Sequence, residues 1–91
     1  NYTILQNYPN PFNPVTEITY WLEEYGEFAL HIYDIRGNLV KKLIKGKGSP
    51  GNYKLAWNSK DESGKKVTSG VYICQLKTNH KIHNNRMLLL K

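Results

Sequence analysis

A chain of 91 residues sets the scale of a single domain, and a chain this short buries only roughly 60–65% of its unfolded surface, so the core is thin. The composition is globular, with 40% hydrophobic residues, seven tyrosines, two tryptophans, seven glycines and a net charge of +6. No apolar run approaches the ~20 residues a membrane-spanning helix needs, and no basic segment leading into an apolar one marks an export signal. The abrupt start at Asn1 points to a piece cut from a longer polypeptide, so residues 1–91 are read as one domain of it.

The charge is unevenly distributed. Residues 1–35 hold five acids and no Lys or Arg, while residues 36–91 hold all thirteen bases and only Asp61 and Glu62, so −5 stands against +11. A basic surface of this kind can meet nucleic acid, anionic lipid or acidic polysaccharide, although most such lysines form a solvated face.

In chain order, Tyr2-Thr3-Ile4-Leu5 reads as a short edge strand. Gln6 to Pro14 follows, with three prolines in six residues at Pro9, Pro11 and Pro14. Each removes a donor and fixes φ, and each pushes the residue before it towards extended backbone. The segment can be neither a helix nor a central strand. It is expected to form a stiff, kinked strap, with Asn10 and Asn13 starting turns through their side chains. Tyr8 and Phe12 are its large apolar groups and its expected anchors.

Thr16–Leu22 alternates, with Ile18, Tyr20 and Leu22 on one face and Glu17, Thr19 and Trp21 on the other, the period of a half-buried strand. Glu27–Ile35 alternates likewise, Phe28, Leu30 and Ile32 against Ala29, His31 and Tyr33. Asp34–Asn38 is a hairpin turn with Gly37 at positive φ. Leu39–Lys45 returns with Val40, Leu43 and Ile44 unevenly spaced, which predicts a bulge. Gly46–Gly51 reads as a loop, with Pro50-Gly51 at the centre of a type II turn.

Asn52–Asn58 places Tyr53, Leu55 and Trp57 on one face. A long polar loop from Ser59 to Ser69 contains a turn at Asp61–Gly64. Gly70–Lys77 directs Tyr72, Cys74 and Leu76 inward, Thr78–His80 turns, and Lys81–Lys91 is a last strand ending in Met87-Leu88-Leu89-Leu90. Six or seven short strands with turn signals every 8–12 residues predict an all-β, immunoglobulin-like antiparallel β-sandwich.

Candidate chemistry is sparse. The single Cys74 lies in a strand pattern and reads as a buried, inert thiol. His80 and His83 flank a hairpin end with no Cys, Asp or Glu nearby in sequence, so a metal site is not expected there. Asn58, Asp61 and Ser63 offer oxygens, but the acids and distal Glu of a calcium loop are missing. Glu23 and Glu24 are turn neighbours rather than carboxylates facing across a cleft. No nucleophile elbow, phosphate loop or dinucleotide fingerprint occurs. The tyrosines follow strand periodicity, so core packing explains them before nucleic-acid stacking does. Asn1-Tyr2-Thr3 matches a glycosylation sequon, relevant only in a eukaryotic secretory pathway. On its residues alone the chain is a basic, non-enzymatic β-sandwich with no cofactor or metal expected.

Ordered motifs add to this. Leu5-Gln6-Asn7-Tyr8-Pro9-Asn10-Pro11-Phe12-Asn13-Pro14 and Thr16–Tyr20 are followed by Ile32-Tyr33-Asp34-Ile35-Arg36-Gly37 with Val40 and Leu43. Then come Gly51-Asn52-Tyr53 with Trp57, Ser69-Gly70-Val71-Tyr72, and Arg86–Lys91. In that order they resemble the C-terminal sorting domain of the type IX (Por) secretion system, a family related to the Ig-like domain of the flagellar hook-capping protein. Glu23-Glu24 stands where the family usually has Pro, Cys74 where an aromatic or aliphatic residue is commoner, and Arg86 where Lys is usual.

The resemblance implies a domain at the end of a secreted Gram-negative bacterial protein. It would be carried through the periplasm and recognised, folded, by an outer-membrane translocon. A sortase-like peptidase then typically removes it, leaving an N-terminal cargo at the cell surface or outside. Contact with anionic lipopolysaccharide or polysaccharide is included in that expectation, and nucleic acid is not. The family's late motifs assign sorting recognition to Gly70, Val71, Tyr72, Arg86, Met87, Leu89 and Lys91. The strap Tyr8–Pro14 (Tyr8, Pro9, Asn10, Pro11, Phe12, Asn13, Pro14) and the turn glycines Gly37, Gly51 and Gly64 are expected to be structural. A terminal strand could also be read through its edge by main-chain pairing, with Arg86 and Lys91 adding charge-assisted contacts. The alternative is an Ig-like accessory or spacer module that stays attached to a surface protein and binds carbohydrate or neighbouring copies.

Overall fold

The computed structural model describes residues 4–91. The Asn1–Thr3 sequon and the start of the expected Tyr2–Leu5 strand therefore lie outside the described residues. Seven strands form: β1 Leu5–Tyr8, β2 Thr16–Leu22, β3 Gly26–Asp34, β4 Leu39–Gly48, β5 Gly51–Trp57, β6 Gly70–Thr78 and β7 Ile82–Leu89. They pair antiparallel into a three-stranded sheet, β1-β2-β5, and a four-stranded sheet, β4-β3-β6-β7. The two inner faces close on one core in an Ig-like sandwich.

The alternations read from the sequence generate that core. Ile18, Tyr20 and Leu22 of β2 meet Phe28, Leu30 and Ile32 of β3, Tyr72, Cys74 and Leu76 of β6, and Met87 and Leu89 of β7, all buried. Tyr20 bridges the sheets through its ring, 5.7 Å from Phe28 and stacked at 5.4 Å on Tyr53. Burial of Tyr20, with Tyr53 beside it, raises its phenol pKa. The Cys74 thiol is pushed up to about 12 by burial alone, which removes the thiolate that reactivity requires.

Three boundaries differ from the sequence reading. The first strand runs to Tyr8 rather than stopping at Leu5, because β1 pairs Leu5–Tyr8 with Tyr20–Glu17. An edge strand needs hydrogen bonds on one side only, so the prolines begin just where pairing ends. The expected loop Gly46–Gly48 is instead the end of β4, paired with Phe28–Gly26. A side chain at Gly48 would stand 2.6 Å from Leu22 Cδ1 and 3.0 Å from Phe28 Cε1, so glycine here makes room for the core rather than breaking the strand. Pro50-Gly51 is not the centre of a type II turn: Gly51 has φ 152° and opens β5. Ser49 and Pro50 alone carry the chain from one sheet to the other. The uneven β4 does contain the expected irregularity, in two register shifts opposite Leu30/His31 and Ile32/Tyr33.

The polar loop between β5 and β6 folds back on β4. Glu62 accepts from Lys42 N at 2.5 Å and its own N donates to Val40 O at 3.0 Å. These contacts occupy part of an otherwise open sheet edge.

Candidate functional site

The strap leaves β1 of one sheet, bridges to β7 of the other at Phe12, and returns to β2 of the first. Its Tyr8-Pro9, Asn10-Pro11 and Asn13-Pro14 peptides are all cis. Phe12 sits 2% exposed, its ring 5.8 Å from Trp57, whose own ring is 5.5 Å from Tyr72. Phe12 N donates to Leu88 O at 2.9 Å, and Leu90 N donates to Phe12 O at 3.0 Å. Asn10 adds a second pair through its side chain: Nδ2 donates to Arg86 O and Oδ1 accepts from Leu88 N, both at 3.0 Å. Asn10 therefore does not start a turn through its side chain. Its carboxamide acts as a short piece of β-backbone where proline removes the real donors.

Phe12 is the anchor expected of it and Tyr8 is not, being 81% exposed. The reason is the two-residue period of β1, which turns Leu5 and Asn7 inward and Gln6 and Tyr8 outward. The inward place is taken by Asn7, a residue the sequence reading passed over. Its Nδ2 donates to Thr16 Oγ1 at 3.0 Å and to Pro9 O at 3.3 Å, and its Oδ1 accepts from Asn85 Nδ2 at 2.7 Å. Thr16 in turn donates to Pro9 O at 2.8 Å. The alternation from Leu5 was the signal that could have found it. Ser59, buried at a positive φ of 65°, donates its hydroxyl to Pro14 O and ties down the far end of the strap.

The residues assigned to sorting recognition come together. Gly70, Val71 and Tyr72 pair with Leu89, Leu88 and Met87, and Ile73 pairs with Arg86. They divide by face. Tyr72, Met87 and Leu89 are buried, and Tyr72 donates its hydroxyl to Thr68 O at 2.6 Å. In the folded domain these three side chains are part of the core. Arg86 and Lys91 are exposed, and Val71 and Leu88 half-buried on the outward face. Lys91 N is held by Ser69 Oγ at 3.1 Å. Gly70 has φ 152°, with nothing within 4 Å of an added Cβ, so its requirement is conformational and not steric. Edge reading of the terminal strand is closed over its last part, since Arg86 O, Leu88 N, Leu88 O and Leu90 N already bond to the strap.

The turn glycines Gly37 and Gly64 have φ of 91° and 86°, beyond easy reach of other residues. Each follows an acid that caps its own turn. Asp34 Oδ1 accepts from Asn38 N and Arg36 N, both at 2.9 Å, and these bonds, Asn38's first, lower its carboxyl pKa. Asp61 Oδ1 accepts from Ser63 Oγ, Ser63 N and Lys65 N; the hydroxyl bond leads in lowering its pKa. The oxygens of Asp61 and Asn58 thus serve the loop's own donors, Asn58 Oδ1 accepting from Lys60 N at 3.3 Å.

At the pole by the β2–β3 and β6–β7 turns, a hollow of about 350 Å³ is lined by Trp21, Tyr25, Glu24, His80 and His83, among others. Folding supplies the acids that His80 and Lys81 lack in sequence: Glu24 lies 3.1 Å from His80 Nε2 and Glu23 3.7 Å from Lys81 Nζ. Both pairs are exposed and so weakly stabilising. Among the described residues no three His, Cys, Asp or Glu side chains gather into a possible metal site.

Comparison with known proteins agrees with the sandwich. The chain is similar to the crystal structure of dimeric latent PorU from Porphyromonas gingivalis, with TM-score 0.71 and 17% identity over 94% of this chain and 9% of that one. It is similar to PorZ, described as an essential bacterial surface component of the type-IX secretion system of P. gingivalis, with TM-score 0.66 and 22% identity over 96% of this chain and 11% of that one. FlgD from P. aeruginosa superposes with TM-score 0.63 and 23% identity over 82% of this chain and 60% of that one. At these identities the likeness is one of fold, and the chain spans only about a tenth of the length of the first two proteins. No curated protein matches the chain. The family model of the FlgD Ig-like domain matches residues 16–81, most of the chain, and the chain belongs to that family.

Proposed function

We propose that this Ig-like domain is a sorting domain of type IX secretion. In this reading it is a recognised passenger and not a catalyst. It passes through the periplasm to an outer-membrane translocon, and a sortase-like peptidase trims it from its cargo at the cell surface. The observation that supports this best is the pairing of two segments far apart in sequence. Gly70–Tyr72 and Arg86–Leu89 form one antiparallel unit, and its outward side chains, Val71, Leu88 and Arg86, lie near exposed Leu90 and Lys91. An apolar strip flanked by cations is a surface a receptor can read by burial and by charge-assisted contacts. The fold-level likeness to PorZ, itself a type-IX component, favours the same reading.

Deleting residues 87–91 cannot isolate recognition, because it removes Met87 and Leu89 from the core. The sharper test is a reporter fused to the domain, in a host with the secretion system, carrying Arg86→Glu and Lys91→Glu. Both residues are exposed, so the melting of the domain should not change. The expected result is a reporter retained in the periplasm. Normal export would refute the reading and favour an Ig-like spacer module, which membership of the FlgD Ig-like family supports equally.

A further inference from the structure

The outer face of the four-stranded sheet holds a second hollow, of about 300 Å³, lined by Ala29, His31, Lys45, Lys77 and Glu27, among others. Register explains its shape. Ala29 of β3 pairs with Lys45 of β4 on one side and Lys77 of β6 on the other. Two strand spacings separate the lysine backbones by about 10 Å, and the alanine methyl between them leaves the floor low. One step along β3, His31 forms the end wall, between Lys42 and Gln75.

His31 is the anomaly in this wall. Its Nδ1 lies 3.4 Å from the Tyr33 hydroxyl, while its Nε2 is buried with no hydrogen-bond partner. When Tyr33 donates to Nδ1, Nε2 carries the hydrogen and lacks an acceptor. A buried donor without an acceptor costs free energy until one is supplied. Lys45 and Lys77 likewise offer donors and positive charge, with Lys42 nearby. Glu27 at the rim and Glu62 beyond β4 are the acids facing this group, and Glu62 is engaged with Lys42 N. The hollow thus gathers cationic and neutral donors around space at the low end of ligand-pocket size.

We propose that the hollow over Ala29 binds an anionic group, a phosphate or carboxylate on a small solute, held by Lys45 and Lys77, with the His31 ring turning in the end wall to bring Nε2 to it. The charge state of His31 agrees with this arrangement. Burial first, then Lys42 and Lys45, hold the imidazole below its usual pKa, and an anion among these groups would raise it.

The test is NMR titration of the domain with inorganic phosphate and with acetate, each against sodium chloride at matched ionic strength. Saturable shifts at Ala29, His31, Lys45 and Lys77, and an upward move of the His31 pKa, are expected, the tighter anion identifying the class. Lys45→Gln and Lys77→Gln should each weaken binding about ten-fold, the loss of one hydrogen bond to a charged group. Ala29→Val keeps every charge, suits a strand and fills the floor, so it should abolish binding while melting like the parent. Shifts equal to those in chloride, or spread over Lys60, Lys65 and Lys66, would overturn the proposal. So would undiminished binding by a folded Ala29→Val variant.

Discussion

Replacing Phe12 by Ala tests whether the strap is part of the core or merely laid over it. The ring is 2% exposed and packs on Trp57. An aromatic side chain that buries about 200 Å² is worth about 5 kcal/mol at ~25 cal/mol/Å². That is a ceiling, because the unfolded chain already hides some of this area. Phe→Ala substitutions in cores cost about 3–5 kcal/mol, cavity included, so about 4 kcal/mol is expected here. Domains of this size have in total only about 5–14 kcal/mol, and with a urea slope of about 1–1.5 kcal/mol/M the midpoint should fall by about 3 M. Tyr8→Ala is the matched control. Its ring is 81% exposed, so its stability should stay within about 0.5 kcal/mol of the parent. Amide exchange of Leu90, whose N donates to Phe12 O, should quicken in the Phe12 variant alone. A loss below about 1 kcal/mol for Phe12→Ala, far under the usual core cost, would refute the reasoning, as would equal losses at both positions.

Asn7→Ala removes bonds to Thr16 and Pro9 and strands the Asn85 donor, so denaturant melts should show a loss of about 1–3 kcal/mol. Gly48→Ala brings a methyl against Leu22 and Phe28, and overpacking of this kind should cost about 1–3 kcal/mol in the same assay. His31 has a folded pKa below its ordinary value, so the unfolded chain binds its proton first. Stability should therefore decline as pH falls from about 6.5 towards the folded pKa, and His31→Gln should flatten that part of the profile. Cys74, with its thiol pushed up to about 12, should ignore a thiol reagent until the domain is unfolded; rapid native-state modification would contradict its burial.

What the sequence by itself determined is what local periodicity can carry. The alternations of β2, β3, β5 and β6 assigned each side chain to a face, and a face is decided within a few residues. Gly37 and Gly64 were legible for the same reason: a positive φ is a property of one residue and its neighbours. The ordered motifs led to a family of Ig-like domains without any knowledge of contacts. Only the tertiary structure decided what depends on residues far apart. Gly48 read as part of a loop because its neighbours Leu22 and Phe28, which demand the missing side chain there, are not adjacent in sequence. Tyr8 and Phe12 looked alike, and the pairing of β1 with β2 exposed one while the bonds to Leu88 and Leu90 buried the other. That Met87 and Leu89 lie against Tyr72 and Gly70, with Arg86, Leu88 and Val71 on the outward face, follows from the pairing of β6 with β7. The hollow over Ala29 needs three strands side by side, and a one-dimensional pattern holds no record of which strand lies beside which.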